Sequence, residues 1–560
     1  MQFVNPYNFI PLTDKKADYV PKEEKLTGKL VVEIETKTPL FIPDTSNEKV
    51  FSVDGEDEEH KSYDFFKYGG EPVIPGSEIR GMLRCVYEAL TGSCLSAIDD
   101  DAELVKRTNE IYKPGLIKKV KNGYILVEAD RTKCRDNGGK FAGYKTDKGY
   151  YLKGEKGFKG TARSYFNPVK DENKADKKVC DLTDVHFNMI ETVLKSYQNT
   201  KTNKHLSRGH YGYKDYDKSF KKFLAPDSKS IYFPVYYSKV SDKLIYLSPA
   251  CITKEAYVNK VSDILKAHGQ FGPCSAGKLC PACALFGMVN DGAVASKLRF
   301  SDARLVKYDK FLFVKNPVTL EELAQPKISA TEFYLKKPGD VNFWTYDYYV
   351  DKNGKIHEYV PEIAGRKFYW HNLNMRFKQN VERTKRNKTI MPLQKGVTFE
   401  SEIYFERISE EQLKQLYAIC NITNEYDDKA GYKLGTGKPL GMGSITIKVK
   451  ECKIRELKCD DTGICYEEND FNAKAKISDG NAIKFSEEVL PDFESMISFE
   501  GFGRRPVCYP VTNQQLQTVS RNLPMTEGFK WFQENHGKLS KRVGLKYKTN
   551  LPTPTKERAQ

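Results

Sequence analysis

The clearest chemical signal in this sequence is a set of cysteines between His268 and Gly287, in the stretch HGQFGPCSAGKLCPACALFG. Cys280 and Cys283 have the C-x-x-C spacing of a knuckle, in which two thiolates bind one tetrahedral metal ion. Cys274 is close enough in sequence to supply a third ligand, and His268 a fourth. Four ligands from one short segment would close the ion off from water. The segment therefore predicts a structural zinc site.

A redox-active dithiol is the alternative interpretation of this C-x-x-C pair. The additional Cys274 and the lack of a surrounding βαβ pattern favour zinc. The chain contains 13 cysteines, and an odd number scattered over a long chain is typical of a reducing compartment. Cys452, Cys459 and Cys465 are irregularly spaced among charged residues, which gives little support for a second metal site.

A glycine-rich stretch, GTGKPLGMGS, runs from Gly435 to Ser444. It is not a Walker loop, because Pro439 follows Lys438 where a magnesium-binding Ser or Thr is required, and because a strand follows it. Its glycines would still let the backbone approach a phosphodiester closely and donate amide hydrogen bonds to it. A plain tight turn is the alternative. The four glycines are Gly435, Gly437, Gly441 and Gly443.

The stretch KHLSRGHYGYK contains residues that could act as acids and bases in RNA cleavage. They follow no spacing rule, so catalysis there is a minor hypothesis. These residues are His205, Arg208, His210 and Tyr211.

Composition narrows the class of partner. The chain has 560 residues, a formal net charge of +15 and 12% aromatic residues. Basic residues mixed with rings suit a single-stranded nucleic acid whose bases can stack, although a soluble protein that is simply basic has the same composition. No run approaches the roughly 20 apolar residues of a membrane span, and the first residues lack a signal-peptide pattern. We therefore expect a cytoplasmic protein without membrane contact.

Several predicted elements could position these groups. Leu30–Thr36 alternates apolar and polar residues after its first pair, as a half-buried strand does. Ser77 is a candidate N-cap for a helix that stops at Gly92. Arg80 and Arg84 would lie on the polar face of that helix. The apolar residues of the helix, three or four apart, are Ile79, Met82, Leu83, Val86 and Leu90.

The second half repeats this pattern. VTFESEIYF (397–405) predicts a strand, Ser409 and Gln412 form a capping-box pattern before a helix, and Ile445–Lys450 alternates as a second strand. Strand, helix and strand in each half predict an α+β fold with a ferredoxin-like (RNA-recognition-like) core, large insertions and the zinc knuckle.

The predicted divisions of the chain alternate between core and insertion. The Lys/Tyr-rich insertion shows little periodicity and is expected to form either solvated loops or an RNA-contacting surface. The divisions are 1–100 (first part of the core), 101–250 (Lys/Tyr-rich insertion), 251–305 (zinc knuckle and a core strand), 306–380 (second insertion), 381–450 (second part of the core) and 451–560 (C-terminal extension).

Taken together, the motifs resemble the RAMP (repeat-associated mysterious protein) superfamily of CRISPR systems, in a long branch that bears insertions. They follow the order of that family and span most of the chain. The segments that carry the resemblance are PYNFIPL near the start, VIPGSEIRGMLR (73–84), CPACALFG (280–287), LRFSDARL (298–305), GRKFYWH (365–371), GVTFESEIYF (396–405) and LGTGKPLGMGS (434–444).

The resemblance implies a subunit that binds a CRISPR guide RNA, as the backbone subunits of type III effector complexes do. Other effector subunits and a complementary target RNA would be its partners. In that family the first helix and the glycine-rich loop lie along the guide. The resemblance therefore implies that Arg80 and Arg84 contact RNA and are not residues of an ordinary solvated helix face. The residues carried over by position as RNA-binding are Ser77, Arg80, Arg84, Gly435, Gly437, Lys438, Gly441 and Gly443.

Backbone subunits of this kind often cut target RNA with an acidic residue in the loop between the first strand and the first helix. Asp64 best matches that place and would act with Mg²⁺ or Mn²⁺. The loop is longer here than in the family pattern, and Asp44, Asp54 and Asp57 are rival candidates. Two alternatives stay open: a guide-RNA scaffold that does not cut, and a metal-independent guide-processing endoribonuclease acting through residues such as His205 or His210.

Overall fold

The computed structural model describes residues 1–52, 59–134, 145–146, 149–152, 163–198, 216–323, 328–460, 463–471, 485–521, 530–536 and 541–560. At its centre is a mixed α/β core made of β1 (Leu26–Thr36), α1 (Gly76–Leu90), β2 (two short segments, Leu298–Phe300 and Ala303–Lys307), β3 (Thr398–Ile408), α2 (Glu410–Cys420) and β4 (Ser444–Asp460). The four strands are antiparallel and lie in the order β4-β1-β3-β2. This order is the ferredoxin-like arrangement that the sequence predicts.

The alternation of β1 is the physical basis of this core. Leu30, Val32 and Ile34 are fully buried, whereas Glu33 between them is partly exposed. Successive side chains of a strand point to opposite faces. One face of β1 is therefore covered, and the other carries partly exposed polar residues apart from the buried Val31. Both helices contact strands of the sheet as well as each other and contribute to the same hydrophobic cluster.

The start of α1 differs from the predicted one. The N-cap position is Pro75, and the exposed Ser77 caps nothing. The N–H of Gly76 instead donates to the carboxylate of Asp302 at 2.8 Å. The reason lies in the tertiary packing. The N-terminal end of α1 packs so closely on β2 that a Cβ at Gly76 would lie 2.4 Å from the carbonyl oxygen of Phe300.

The other helix signals are confirmed. Gly92 follows α1 with a left-handed φ of 57°, which suits the residue after a helix C-terminus. At the start of α2, Ser409 accepts from the N–H of Gln412, and the Gln412 side chain accepts from the N–H of Ser409. That reciprocal pair is the predicted capping box.

Short strands extend the core sheet at both edges. Lys67–Tyr68 and Glu71–Ile74 lie beyond β2, Tyr432–Lys433 pairs with the start of β4, and Gly463–Asp470 pairs with its far end. A smaller sheet contains Lys49–Ser52, Glu59–Tyr63, Lys388–Ile390 and Val318–Thr319. Near the N-terminus, Tyr7–Ile10 pairs with Arg366–Tyr369.

The Lys/Tyr-rich insertion is a folded sheet, which differs from the solvated loops that its composition allows. Tyr232–Lys239 is buried at six consecutive positions, because separate hydrophobic clusters cover the two faces of the sheet. A strand buried on both faces has no alternation, so its sequence lacks periodicity. Its strands are Lys113–Val120, Gly123–Cys134, Lys145–Thr146, Gly149–Leu152, Arg163–Pro168, Lys178–Leu182, Tyr232–Lys239 and Ile245–Ser248, and Asp184–Gln198 is a helix packed on it.

The remaining elements are short. In the described residues, no helix is long and apolar enough to span a membrane. The strands are Val105–Arg107, Lys254–Ala256, Val341–Trp344, Tyr348–Asp351 and Ile356–Glu358, and the α-helices are Val261–Ala267, Pro281–Phe286, Thr331–Tyr334, Ile422–Glu425, Leu490–Ile497, Asn513–Ser520, Lys530–His536 and Pro554–Ala559, with 3₁₀ turns at Thr45–Asn47, Lys438–Leu440 and Arg542–Gly544.

Candidate nucleic-acid groove and metal cluster

Four buried cysteines converge between α1 and the C-x-x-C segment. The sulfurs of Cys94, Cys274, Cys280 and Cys283 all lie within 4.8 Å of one another. Cys94 Sγ is 3.5 Å from Cys283 Sγ and 3.6 Å from Cys280 Sγ. This cysteine cluster has the donor set of a tetrahedral metal site, and its burial closes it to water.

His268 does not take part in the cysteine cluster. Its Nε2 lies 2.9 Å from the carbonyl oxygen of Val360, and Cys94 occupies the fourth position instead. Cys94 follows α1 just after Gly92, where the chain turns back towards the C-x-x-C segment. Sequence proximity favoured His268, because nothing in the local pattern links Cys94 to cysteines so far along the chain.

Backbone amides shape the cluster. Cys280 is the N-cap of helix Pro281–Phe286, and its sulfur accepts from the N–H of Cys283 at 3.4 Å. The sulfur of Cys274 accepts from the N–H of Cys280 at 3.3 Å. Hydrogen bonds among the four sulfurs hold the pKa of Cys280 well below its usual value and raise the pKa values of Cys94 and Cys283. A thiolate there is the form that binds metal.

The arginines of α1 donate hydrogen bonds to this segment and are only partly exposed. Arg80 donates to the carbonyl oxygen of Phe286 at 2.5 Å. Arg84 donates to the carbonyl oxygen of Gly287 at 2.8 Å, to Glu88 at 2.9 Å and to Cys283 Sγ at 3.4 Å. The predicted polar face of α1 is therefore largely covered, and these guanidinium groups already have protein partners.

A second face of α1 borders an open groove. A cavity of about 370 Å³ lies between α1, strand Arg366–Tyr369 and the segment around the glycine-rich loop. It brings Ser77 and Lys438, which are far apart in sequence, to one surface. We call this cavity the lysine groove; residues that line it include Ser77, Gly81, Cys85, Lys367, Lys433 and Lys438.

Three lysines and one acid, Glu78, are the charged residues that line the groove. Burial lowers the pKa of Lys433 to about 7, helped by the charge of Lys438, and lowers the pKa of Lys367 to about 8. Lys433 Nζ donates to the carbonyl oxygens of Gly441 and Met442, each at 2.9 Å, and Lys367 Nζ lies 3.9 Å from the centre of the Tyr7 ring. Within the described ranges, none of the three lysines forms an ion pair with a carboxylate.

The glycine-rich loop requires glycine at several positions. All four glycines have left-handed φ values, between 71° and 94°. At Gly443 a Cβ would also lie 2.0 Å from the carbonyl oxygen of Leu434. The N–H groups of Gly441 and Gly443 donate to Lys438 and Pro39, so the amides of Gly435 and Gly437 are better candidates for a ligand.

The sequence of this chain matches the model of a known protein family. The RAMP superfamily model matches residues 33–446, which is well over half of the chain and runs from β1 into β4. The chain belongs to the RAMP superfamily. No curated protein matches the sequence. Among solved structures, one matching chain is described as "Type IV-B CRISPR Complex"; it is 12% identical, with a TM-score of 0.20, over 75% of this chain and 90% of that chain.

In this RAMP superfamily member the acidic loop before α1 is partly described. Asp64 is about half exposed, and its nearest cation is Lys49 Nζ at 3.3 Å. Asp44 instead caps the turn Thr45–Asn47 by accepting from Ser46 and Asn47. Asp64 is therefore freer than Asp44 to bind an ion. Asp54, Asp57 and the stretch with His205, Arg208, His210 and Tyr211 lie outside the described residues.

Proposed function

We propose that this chain is a guide-RNA-binding subunit of a CRISPR effector complex of the type III kind, acting with other effector subunits. The observation that carries this proposal is the lysine groove, where α1 and the glycine-rich loop meet around lysines without carboxylate partners. Burial deprives these ammonium groups of hydrating water, and a phosphodiester in the groove would give them an anionic partner in its place. The family membership and the sequence resemblance support a guide RNA as that ligand.

The residues proposed to contact RNA follow from this geometry. Ser77 and Lys438 line the groove, and Gly435 and Gly437 have amides suited to a phosphate oxygen. The neighbouring Gly441 and Gly443 shape the loop, because their amides bind protein carbonyls. The contacts of Arg80 and Arg84 favour a supporting role behind α1 over the phosphate contacts that the resemblance implies.

The direct experiment is to sequence the RNA that copurifies with the full-length protein from its own host. We expect repeat-derived guides to be enriched over total cellular RNA. A control preparation of Lys367→Ala/Lys438→Ala should contain much less of this RNA. Copurified RNA that reflects bulk cellular RNA in both preparations would contradict the proposal.

We also propose that the cysteine cluster holds one structural zinc ion. Four thiolates are the ligand set of many structural zinc sites, and metal binding would add directly to folding free energy. Elemental analysis of freshly purified protein should give about one zinc per chain. Cys280→Ser should lose the metal and unfold at lower temperature, whereas Cys420→Ser, at a buried cysteine outside the cluster, should keep it. Protein without zinc would contradict this assignment.

We further propose that the subunit cleaves target RNA. Asp64 would hold Mg²⁺ or Mn²⁺ near the scissile phosphate of a complementary RNA. Its half-exposed carboxylate supports this role, and the metal ion would displace Lys49 Nζ from it. In the assembled complex, Asp64→Ala should abolish metal-dependent cutting and leave guide binding intact.

Matched variants separate the alternatives to this cleavage mechanism. Asp44→Ala, Asp54→Ala and Asp57→Ala should still cut. Loss of cutting in one of these variants would assign the acid to that position. No cutting by the wild type would indicate a scaffold, and cutting that persists in EDTA would indicate a metal-independent processing enzyme.

A further inference from the structure

A buried triad of charged side chains lies against the cysteine cluster. Glu88 in α1 bonds to Arg84 through Oε1 at 2.9 Å and to Arg366 through Oε2 at 3.1 Å. Glu88 and Arg366 keep 8% of their side-chain surface exposed, and Arg84 keeps 14%. Charges this deeply buried are costly unless each has partners.

The two arginines bind opposite halves of the metal site. Arg84 donates to Cys283 Sγ and to the carbonyl oxygen of Gly287, which belong to the C-x-x-C half. Arg366 donates to the carbonyl oxygens of Ser93 and Cys94, which belong to the half that follows α1. The triad therefore joins two segments that are distant in sequence and that a bound metal would also join.

The charge of the surroundings matches a metal-bound cluster. Two arginines and one glutamate leave the triad with one excess positive charge, and Lys16 adds another, with Nζ 3.9 Å from Cys274 Sγ. Four thiolates around a divalent ion carry two negative charges. With four neutral thiols, the two positive charges in excess of Glu88 would have no anion opposite them.

We propose that Arg84, Arg366 and Lys16 are positioning residues that stabilise a doubly negative metal–tetrathiolate centre. The inference rests on the metal site proposed above. Through the same residues the centre is tied to α1 and to strand Arg366–Tyr369, and both of these elements line the lysine groove. Loss of metal would therefore remove one of the ties that join these two walls of the groove.

Metal release separates this role from an ion pair that only stabilises the fold. The full-length protein is loaded with zinc, and transfer of the ion to a chromogenic chelator is timed without RNA present. Partners outside the ligand set typically contribute 10- to 100-fold to metal affinity. We expect Arg84→Gln to lose zinc about tenfold faster or more, and Arg84→Lys, which keeps the charge, to be intermediate.

Arg80→Gln is the matched control. Arg80 lies one turn before Arg84 and donates to the same helix end, at Phe286. Among the described residues it contacts neither a sulfur nor an acid. It should release zinc at the wild-type rate. Cobalt substitution supplies a second measurement: removal of the N–H···S bond in Arg84→Gln should shift the sulfur-to-cobalt charge-transfer bands, and Arg80→Gln should leave them unchanged.

Lys16→Gln keeps the inference testable if the Arg84 variants do not fold. Lys16 is only partly buried, and its loss should accelerate zinc release several-fold. Wild-type release rates and spectra in both Arg84→Gln and Lys16→Gln would overturn the inference while leaving the metal site intact. A wild-type protein that carries no metal would overturn the metal site itself, and the inference with it.

Discussion

Basic residues lie on two sides of α1, and the two groups have different surroundings. On the cysteine side, the guanidinium groups of Arg80, Arg84 and Arg366 bind carbonyl oxygens, and two of them bind Glu88. On the groove side, the three lysines form no ion pair with a carboxylate in the described part of the chain, and only Lys433 binds carbonyl oxygens, those of Gly441 and Met442. Arginine offers a fixed fork of donors that buried carbonyls can satisfy, whereas lysine is a compact charge that an incoming phosphate can pair. The number of basic residues therefore does not tell which of them can bind RNA.

Two neighbouring residues of one strand belong to the two different groups. Arg366 and Lys367 are consecutive in that strand, and consecutive side chains of a strand point to opposite sides. Arg366 reaches Glu88 and the carbonyls beside the cysteine cluster, and Lys367 reaches the groove. One short strand therefore serves both regions.

The largest expected effect is on stability. Arg366→Ala should lower the free energy of unfolding by about 3–5 kcal/mol, because it leaves Glu88 without one of its two buried cations. Lys367→Ala should cost about 1 kcal/mol or less, since it removes no ion pair. Urea denaturation of the two variants measures the difference. Equal midpoints would show that the two regions do not differ as described.

The next effect is on RNA affinity and its salt dependence. Lys367→Ala/Lys438→Ala should bind single-stranded RNA about tenfold or more weakly at low salt. The slope of log affinity against log salt should fall by about 1.4, because each lost phosphate contact releases about 0.7 fewer counterions. Arg80→Ala should leave this slope unchanged. A salt titration in which Arg80→Ala and the lysine variant respond alike would remove the distinction between the two sides of α1.

The depressed pKa values of two groove lysines predict that RNA affinity depends on pH. Their pKa values are depressed to about 7 at Lys433 and about 8 at Lys367. A bound phosphate favours the protonated forms and raises both pKa values, so binding takes up protons above the free values. Affinity should therefore be highest below about pH 7 and fall as pH rises towards about 9. Lys367→Arg should flatten part of this fall, and an affinity that does not change with pH would contradict the groove assignment.

The smallest effect concerns the start of α1, where the groove begins. Ser77→Ala should change stability by less than about 0.5 kcal/mol, since its side chain caps nothing. Asp302→Ala should lower the free energy of unfolding by about 1–2 kcal/mol, because the Asp302 carboxylate accepts from the N–H of Gly76. Thermal unfolding of the pair tests this order, and a larger loss in Ser77→Ala would restore the predicted N-cap.

How far the sequence predicts these features depends on the range of each interaction. Alternation in β1, the capping box at Ser409 and the glycines of the loop act locally, so the core and the loop are readable from the sequence. Cys94 is a different case, because its partners come from a segment far along the chain and only the fold brings them together. The same holds for Arg84: its spacing indicates a helix face, but not that Gly287 and Cys283 cover that face.

The insertion sheet shows a second limit. Its strand Tyr232–Lys239 is buried on both faces, and without alternation its sequence resembles irregular Lys- and Tyr-rich chain. The lysine groove was partly predicted through Lys438 and the glycines. Lys367 and Lys433 were not, because their importance comes from burial and from missing carboxylate partners. A lysine followed by aromatic residues in GRKFYWH is the one local signal that could have indicated Lys367.

The proposed RNA site is the lysine groove. Ultraviolet crosslinking of the protein with its copurified RNA, followed by mass spectrometry of the peptides, locates the bound RNA. We expect crosslinked nucleotides on peptides that contain Phe368 and Tyr369 and on peptides spanning Tyr432–Met442, with both lost in Lys367→Ala/Lys438→Ala. Crosslinks confined to the insertion sheet, or unchanged by the lysine substitutions, would contradict this site.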